Sequence, residues 1–319
     1  MKTLIAKAPV LSSPVVLSFV ALAGLVLIAQ SRSSGFLSVP HVGVILGIAA
    51  VLGIAGAAQT VVVLAAGIDL SVGAIISAAD VLTVQWTGGN DVPILVVLLI
   101  VFLGAAAGAL NGLGISLLGI NPMVMTLGMA AVVGGLALVV TNGQSGGSPH
   151  PLVSDAMTTR FLGLPGTVYV WIAVAAATVV LLRYTELGRN IYAFGSNAKA
   201  AEIAGLRRGT TLVRVYAISG GFAAIAGVVL AGYTGTGAYG IGEQYTLMSV
   251  AAVVIGGASI LGGRGSYAGT IAGVITLVVL DDVLSAAAVP IAGRQIVQGI
   301  AILLILVLYG RERRLRTTS

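Results

Sequence analysis

Asp69 is the residue of this sequence best placed to do chemistry. It stands in Ala66-Gly67-Ile68-Asp69-Leu70-Ser71-Val72-Gly73, deep in an apolar stretch and flanked by glycines. A charge at the centre of a bilayer costs at least ~2.5–3.5 kcal/mol, so such a carboxylate faces protein, water or a ligand. Two roles fit it. As a structural group, Asp69 caps the second half of a broken helix, accepting from the N–H groups of Ser71 and Val72. As a ligand contact, it accepts hydrogens from the donors of a bound molecule.

Other chemistry is largely excluded. The chain has no cysteine, which removes disulfides, thiolate nucleophiles and Cys-ligated metals. Only His41 and His150 are available, too few for a histidine-rich metal site. A phosphate-binding P-loop needs Gly-Lys followed by Ser or Thr, and the chain has no Gly-Lys pair. Gly235-Thr236-Gly237-Ala238-Tyr239-Gly240 matches G-x-G-x-x-G but follows no strand of a βαβ unit, so we read it as a flexible turn. No Ser–His–Asp or paired-carboxylate arrangement stands out.

The elements that must position Asp69 are membrane-spanning helices. Hydrophobic residues make up 58% of 319 positions and charged residues 8%, against roughly 25% in soluble domains. Mean hydropathy is +1.09. The 45 glycines suit helices that approach closely in lipid. The apolar stretch at 15–29 follows Lys2 and Lys7, but no small-x-small cleavage site follows it, so we read it as a retained first helix. Spans of roughly 17–25 residues fall near 14–30, 40–58, 60–85, 93–118, 122–141, 166–184, 212–233, 244–262, 266–287 and 294–310. The expected architecture is all-α and integral to the membrane: about ten helices, some broken, around a central path. No soluble domain is apparent, and residues 1–319 form one transmembrane domain.

Charge supports the count. With the N-terminus inside, ten spans return the C-terminus inside, and 13 of the 16 Lys and Arg residues fall on that side. Only Arg32, Arg160 and Arg294 fall outside. This is the positive-inside pattern, and it accounts for the net charge of +6 without nucleic acid. Outside, residues 141–165 carry Gly146-Gly147-Ser148-Pro149-His150-Pro151 and read as an irregular loop. Inside, residues 183–211 are the only long polar stretch of mixed charge. There Ala198 to Ala204 favours a short helix stopped by Gly205, either an ordinary surface helix or a docking helix. Gly104, Gly108 and Gly112, and Gly269 and Gly273, recur at helical spacing as close-packing faces or, alternatively, sliding surfaces.

In this order the motifs resemble the permeases of ribose-type sugar importers of the ATP-binding-cassette superfamily, over nearly the whole chain. The resemblance rests on Gly67 to Gly73, on Asn111-Gly112 followed by Asn121-Pro122 and Thr126-Leu127-Gly128, on Gly188-Arg189 to Gly205, and on Ala251 to Gly265. It implies a cytoplasmic ATPase that carries ATP and Mg, a periplasmic or lipoprotein sugar-binding protein, and a second permease copy in the bacterial inner membrane. No catalysis and no cofactor are then expected in this chain. It also implies a substrate path at Asp69, Ser71, Asn111, Asn121 and Thr126. Glu186, Gly188, Arg189, Lys199, Ala200, Ala201, Glu202 and Gly205 become candidates for ATPase coupling. Lys199-Ala200-Ala201 and Gly205 look like the family's Glu-Ala-Ala-x-x-x-Gly docking motif with Lys for Glu, so that Ala200 and Ala201 would insert into a groove of the ATPase. Asp281-Asp282 departs from the Asn-Gly of many relatives and fits a different substrate or a helix end reaching water. A self-sufficient transporter driven by Na⁺ or H⁺ is the rival, since broken helices with buried carboxylates also occur there.

Overall fold

The structure is a computed structural model and describes residues 14–32, 35–89 and 91–300. Twelve helices and one two-strand ladder follow in chain order. They are α1 (Pro14–Arg32), α2 (Val39–Leu64), α3 (Val72–Thr87), α4 (Pro93–Leu117), α5 (Pro122–Val140), α6 (Pro151–Thr158), β1 (Arg160–Phe161), β2 (Leu164–Pro165), α7 (Gly166–Tyr184), α8 (Glu186–Ser196), α9 (Ala198–Ile203), α10 (Arg208–Thr234), α11 (Glu243–Ile255) and α12 (Tyr267–Ala286). Residues 291–300 are also helical. The remainder of the proposed tenth span, and the basic tail, lie outside the described residues.

The all-α membrane reading holds. Six of the described helices are long and apolar enough to cross a bilayer: α2, α4, α5, α7, α10 and α12. Two expected spans are shorter. α3 has 16 residues and α11 has 13, because the chain leaves helical geometry at 65–71 and again at 256–266. The proposed division of spans two and three near residue 59 is thus displaced to 65–71, and span eight stops at Ile255 rather than 262. At the first break, Ala66 adopts a left-handed φ of 62°. Gly67 N donates to Val62 O at 3.0 Å and Ala66 N to Val63 O at 2.9 Å. This paired closure satisfies two of the carbonyls that a helix C-terminus leaves open.

α10 is the central helix, packed against α4, α3 and α2. The glycine stripe of α4 faces it directly: a Cβ on Gly108 would lie 2.0 Å from Tyr216 O, and one on Gly112 2.5 Å from Val213 Cα. Gly273 approaches Ala252 O in the same way. These stripes are close-packed backbone contacts, the static role weighed for them. α5 is the opposite case. Leu127, Leu136 and Val139 are exposed along it, a face left for lipid or a partner.

The bundle has two recognisable ends. At one, Gly43 approaches Gly163 O, and His41 Nε2 pairs with Asp282 Oδ2 at 3.1 Å. At the other, α2 ends at Leu64, whose carbonyl accepts from Gly263 N at 3.0 Å. Gly195 of α8 sits so close there that a Cβ would fall 1.9 Å from Leu64 O.

Two expected loops are ordered. Residues 141–165 contain α6, started by Pro151 and by the His150 ring, whose Nδ1 accepts from Leu152 N at 3.1 Å. Their last residues form the β1–β2 pair. The turn after α10 is pinned rather than flexible. Gly235 ends the helix with φ 72°, Asp80 Oδ2 accepts from Ala238 N at 2.9 Å, and Ser77 Oγ accepts from Gly242 N at 2.9 Å.

Candidate functional site

The break between α2 and α3 carries a sealed polar knot. Asp69, Ser71, Asn111, Thr126 and Ser219 are all 0% exposed. Asp69 Oδ1 accepts from Ser71 N at 2.9 Å and from Ser71 Oγ at 2.5 Å. Its Oδ2 accepts from Ser219 Oγ of α10 at 2.8 Å. Hydrogen bonds to a charged group each contribute about 1.5–3 kcal/mol, so three of them are on the scale of the several kcal/mol that desolvating an ion costs.

The helix-start role proves more local than expected. Ser71, not Asp69, is the N-cap of α3, and its side chain makes no cap bond. Asp69 instead closes a turn over Ser71 N–H, an Asx-type turn that holds the chain out of helix. Val72 N–H is not its partner.

Helices on three sides fix this turn. From α4, Asn111 Nδ2 donates to Ser71 Oγ at 3.0 Å. From α5, Thr126 Oγ1 accepts from Leu70 N at 3.0 Å while donating to Pro122 O at 2.9 Å. From α2, Gln59, in the amide orientation that matches donors to acceptors, donates to Asp69 O at 3.1 Å and accepts from Asp69 N at 3.3 Å. Four of the five expected path residues therefore meet at one point. The fifth does not. Asn121 is exposed and caps α5, its Oδ1 accepting from Met123 N at 3.0 Å.

Asn111 Oδ1 and Tyr216 Oη are buried with no hydrogen-bond partner among the described residues. Tyr216 Oη lies beside Gly67, where a Cβ would fall 2.5 Å from it. The knot can hold the backbone break and offer hydrogen bonds if it opens. In this conformation it presents no surface to a solute.

The inner segment folds as α8 and α9. Thr185 Oγ1 accepts from Gly188 N at 3.1 Å and starts α8; Asn197 Oδ1 accepts from Ala200 N at 3.0 Å and starts α9. Gly205 ends it at φ 84°, as the sequence pattern suggested. Gly188 is buried against the Leu181 and Leu182 carbonyls and joins α8 to α7. Glu186, Arg189, Lys199, Ala200 and Glu202 are exposed. Glu202 reaches Arg208 at 3.8 Å, an exposed pair of small energetic weight.

Ala201 corrects the sequence reading. It is 5% exposed and turned into this chain's own core, so it is not free to enter a partner's groove. The outward face is formed by Ala200, Ala204 and Ile203, the last 80% exposed. Burial raises the Tyr192 hydroxyl above its ordinary pKa, with Arg183 opposing. The hydroxyl stays protonated and donates to Gly265 O at 3.0 Å.

Sequence reasoning missed Ser219, Gln59 and Asp80. Asp80 is 0% exposed and carried the same signal as Asp69, a carboxylate in an apolar run. Ser219 and Gln59 are lone polar residues in long apolar helices, a weaker mark. Asp281 and Asp282 are structural ties: Asp281 accepts from Arg294 at 2.7 Å and pairs with Gln298 at 3.0 Å, while Asp282 holds His41.

Comparison with known proteins gives a consistent result. The chain is 34% identical over 292 residues to a ribose import permease protein of Bacillus subtilis, covering 91% of each chain. It is 31% identical over 291 residues to the ribose import permease protein of Escherichia coli K12, covering 90% of this chain and 91% of that one. An autoinducer 2 import system permease protein of Salmonella paratyphi B is 32% identical over 268 residues, covering 82% of this chain and 80% of that one. No solved structure matches the chain. Residues 42–306 match the family described as the permease component of branched-chain amino acid transport systems, and the chain belongs to that family.

Proposed function

We propose that this chain is the membrane permease subunit of an ATP-binding-cassette importer for a monosaccharide or related polyol. The observation that carries the reading is the near full-length likeness to ribose import permeases, joined to a broken helix held by buried hydroxyl and amide groups. The whole chain forms one transmembrane domain of ten spans, with both termini cytoplasmic, segment 183–211 inside and segment 141–165 outside. Two copies, or this copy and a paralogue, enclose the path, which runs past the exposed face of α5 and the knot at Asp69 and Ser71. A binding protein delivers substrate to the outer mouth. A separate ATPase, carrying ATP and Mg, docks on α9 and its flanks and switches the helices between inward-open and outward-open states. Differential stability of the two states must come from nucleotide on that subunit.

Support for coupling lies in the joint among α8, Leu64 and the 256–266 loop. Motion of α8 is felt at once by the break that holds Asp69, since Gly195 and Gly263 both abut Leu64 O. The test is reconstitution with the partner ATPase and binding protein in proteoliposomes. ATP-dependent accumulation of D-ribose or another pentose or hexose is expected. Uptake that proceeds without the ATPase, driven by a Na⁺ or H⁺ gradient, would overturn the reading.

A further inference from the structure

We propose that a mid-membrane pocket between α3, α5 and α11 is a binding site for a neutral polyhydroxylated solute, with Glu243 and Tyr239 as its hydrogen-bonding groups. The proposal rests on the importer reading above and deepens it by placing the solute away from the sealed knot at Asp69.

The pocket has a volume of about 470 Å³, within the roughly 300–1,000 Å³ of small-molecule sites. One wall is polar: Ser77, Tyr239, Glu243 and Thr246. The opposite wall is built from α5, with Leu127, Ala131 and Gly134. Sugars have this division themselves, a rim of hydroxyls around C–H faces.

Two side chains of α3 build the polar wall. Asp80 holds Ala238 N and Ser77 holds Gly242 N. They are three residues apart on α3 and so share a face. Between these anchors the chain descends beside α3 and presents Tyr239, and Glu243 follows directly after the second anchor as the first residue of α11. Gly73 allows the descent, since a Cβ there would fall 2.1 Å from Thr246 Oγ1 and 2.7 Å from Gly242 O. Non-helical backbone at membrane depth is tolerated where it lines a cavity or is buried in protein. At 1.5 Å per residue Ser77 lies about 15 Å from the Thr87 end of α3, near the middle of a ~30 Å hydrocarbon core.

The chemistry selects the ligand class. The Tyr239 hydroxyl is buried with no partner among the described residues, leaving one donor and its acceptor capacity open. Glu243 is exposed in the first turn of α11. Its carboxylate offsets the positive helix end and so disfavours anions, while accepting hydroxyl hydrogens. Neither residue belongs to the knot around Asp69.

The absence of native cysteine provides the test. Ala131→Cys, or Leu127→Cys as a second position, places a single thiol on the α5 wall. Alkylation by a small maleimide is timed in membranes with D-ribose, D-xylose, D-galactose and ribitol. A ligand at about twice its Kd slows labelling roughly threefold, the factor 1 + [L]/Kd. We expect at least one of the four to give this protection, and expect it to vanish with Glu243→Ala, weaken with Tyr239→Phe and partly return with Glu243→Gln. Normal labelling with no protection by any of them overturns the site, as does protection that survives both Glu243→Ala and Tyr239→Phe. Protection without ATP-dependent uptake by the assembled complex sinks the importer reading and leaves the pocket. Uptake without protection does the reverse.

Discussion

Asp69 spends both carboxylate oxygens on donors of its own chain, and this sets what its substitutions should do. Asp69→Asn keeps one acceptor, and Ser219 can rotate to accept from the new amide. A loss of about 1 kcal/mol is expected, the scale of one net hydrogen bond. Asp69→Leu strands Ser71 N–H and the Ser219 hydroxyl at about 1–3 kcal/mol each, and adds bulk in a packed site. We expect the Asn variant to assemble and transport, and the Leu variant to aggregate on extraction; thermal unfolding in detergent and uptake in proteoliposomes measure both. If Asn assembles but abolishes uptake together with its pH dependence, Asp69 carries protons and the rival transporter class gains. Ser219→Ala gives an independent check, because it leaves Oδ2 buried without a donor at a cost of about 1.5–3 kcal/mol. At this scale the sequence was legible where a charge broke an apolar run, as at Asp69. It was silent on Ser219, because a single hydroxyl in a long apolar helix does not say which neighbour it meets. Asn121 misled for a related reason: the Asn-Pro pair reports a helix start, which is the role it fills.

At the scale of elements, α9 separates two meanings of a small residue. Alanine at 200 and 201 permits close approach in both cases, but the partners differ. Ala201 approaches its own chain and Ala200 approaches solvent. An arginine at Ala201 would place an unpaired charge in a packed interior, at a cost on the order of 3 kcal/mol. Ala201→Arg is therefore expected to lower the thermal stability of the permease itself. Ala200→Arg and Ile203→Asp lie on the surface and should stay within about 0.5 kcal/mol of the parent in stability. They should still cut ATPase copurification at least tenfold, a loss of about 1.4 kcal/mol in binding. Unchanged copurification by both surface variants would remove α9 from the interface. The helix itself was readable from Asn197, the alanines and Gly205. Its inward face was not, because six residues cover less than two turns and carry no periodicity to read. The glycine stripe of α4 is the contrary case. Gly104, Gly108 and Gly112 repeat four apart over two turns, and the structure places all three against α10. The breaks at 65–71 and 256–266 were visible only as motifs, since apolar residues continue through both and hydropathy alone merges or extends the spans.

For the whole molecule the open question is which end faces the cytoplasm, and charge and geometry bear on it separately. If the chain crosses ten times, thirteen of its sixteen basic residues fall on one side, and each cationic residue near a span end biases that side inward. Of the three on the other side, Arg294 is neutralised by Asp281 at 2.7 Å, which lessens its weight as a topological signal. The structure groups His41, Gly163 and Asp282 at one end and Leu64, Gly195 and Gly263 at the other. The basic segment 183–211 thus lies at the end opposite the 141–165 segment, the separation that the single span α7 between them requires. A cysteine-free chain makes the assignment direct to measure. Ser145→Cys in the 141–165 segment should react with an impermeant maleimide in intact cells, whereas Ser319→Cys should react only after permeabilisation. Labelling of Ser319→Cys in intact cells would place the basic tail outside. Docking of an ATPase on α9 is possible only if α9 shares the cytoplasm with nucleotide. Rapid labelling of a Ser196→Cys thiol from outside would therefore reject the coupling proposal along with the topology, even if Ser145→Cys behaved as expected.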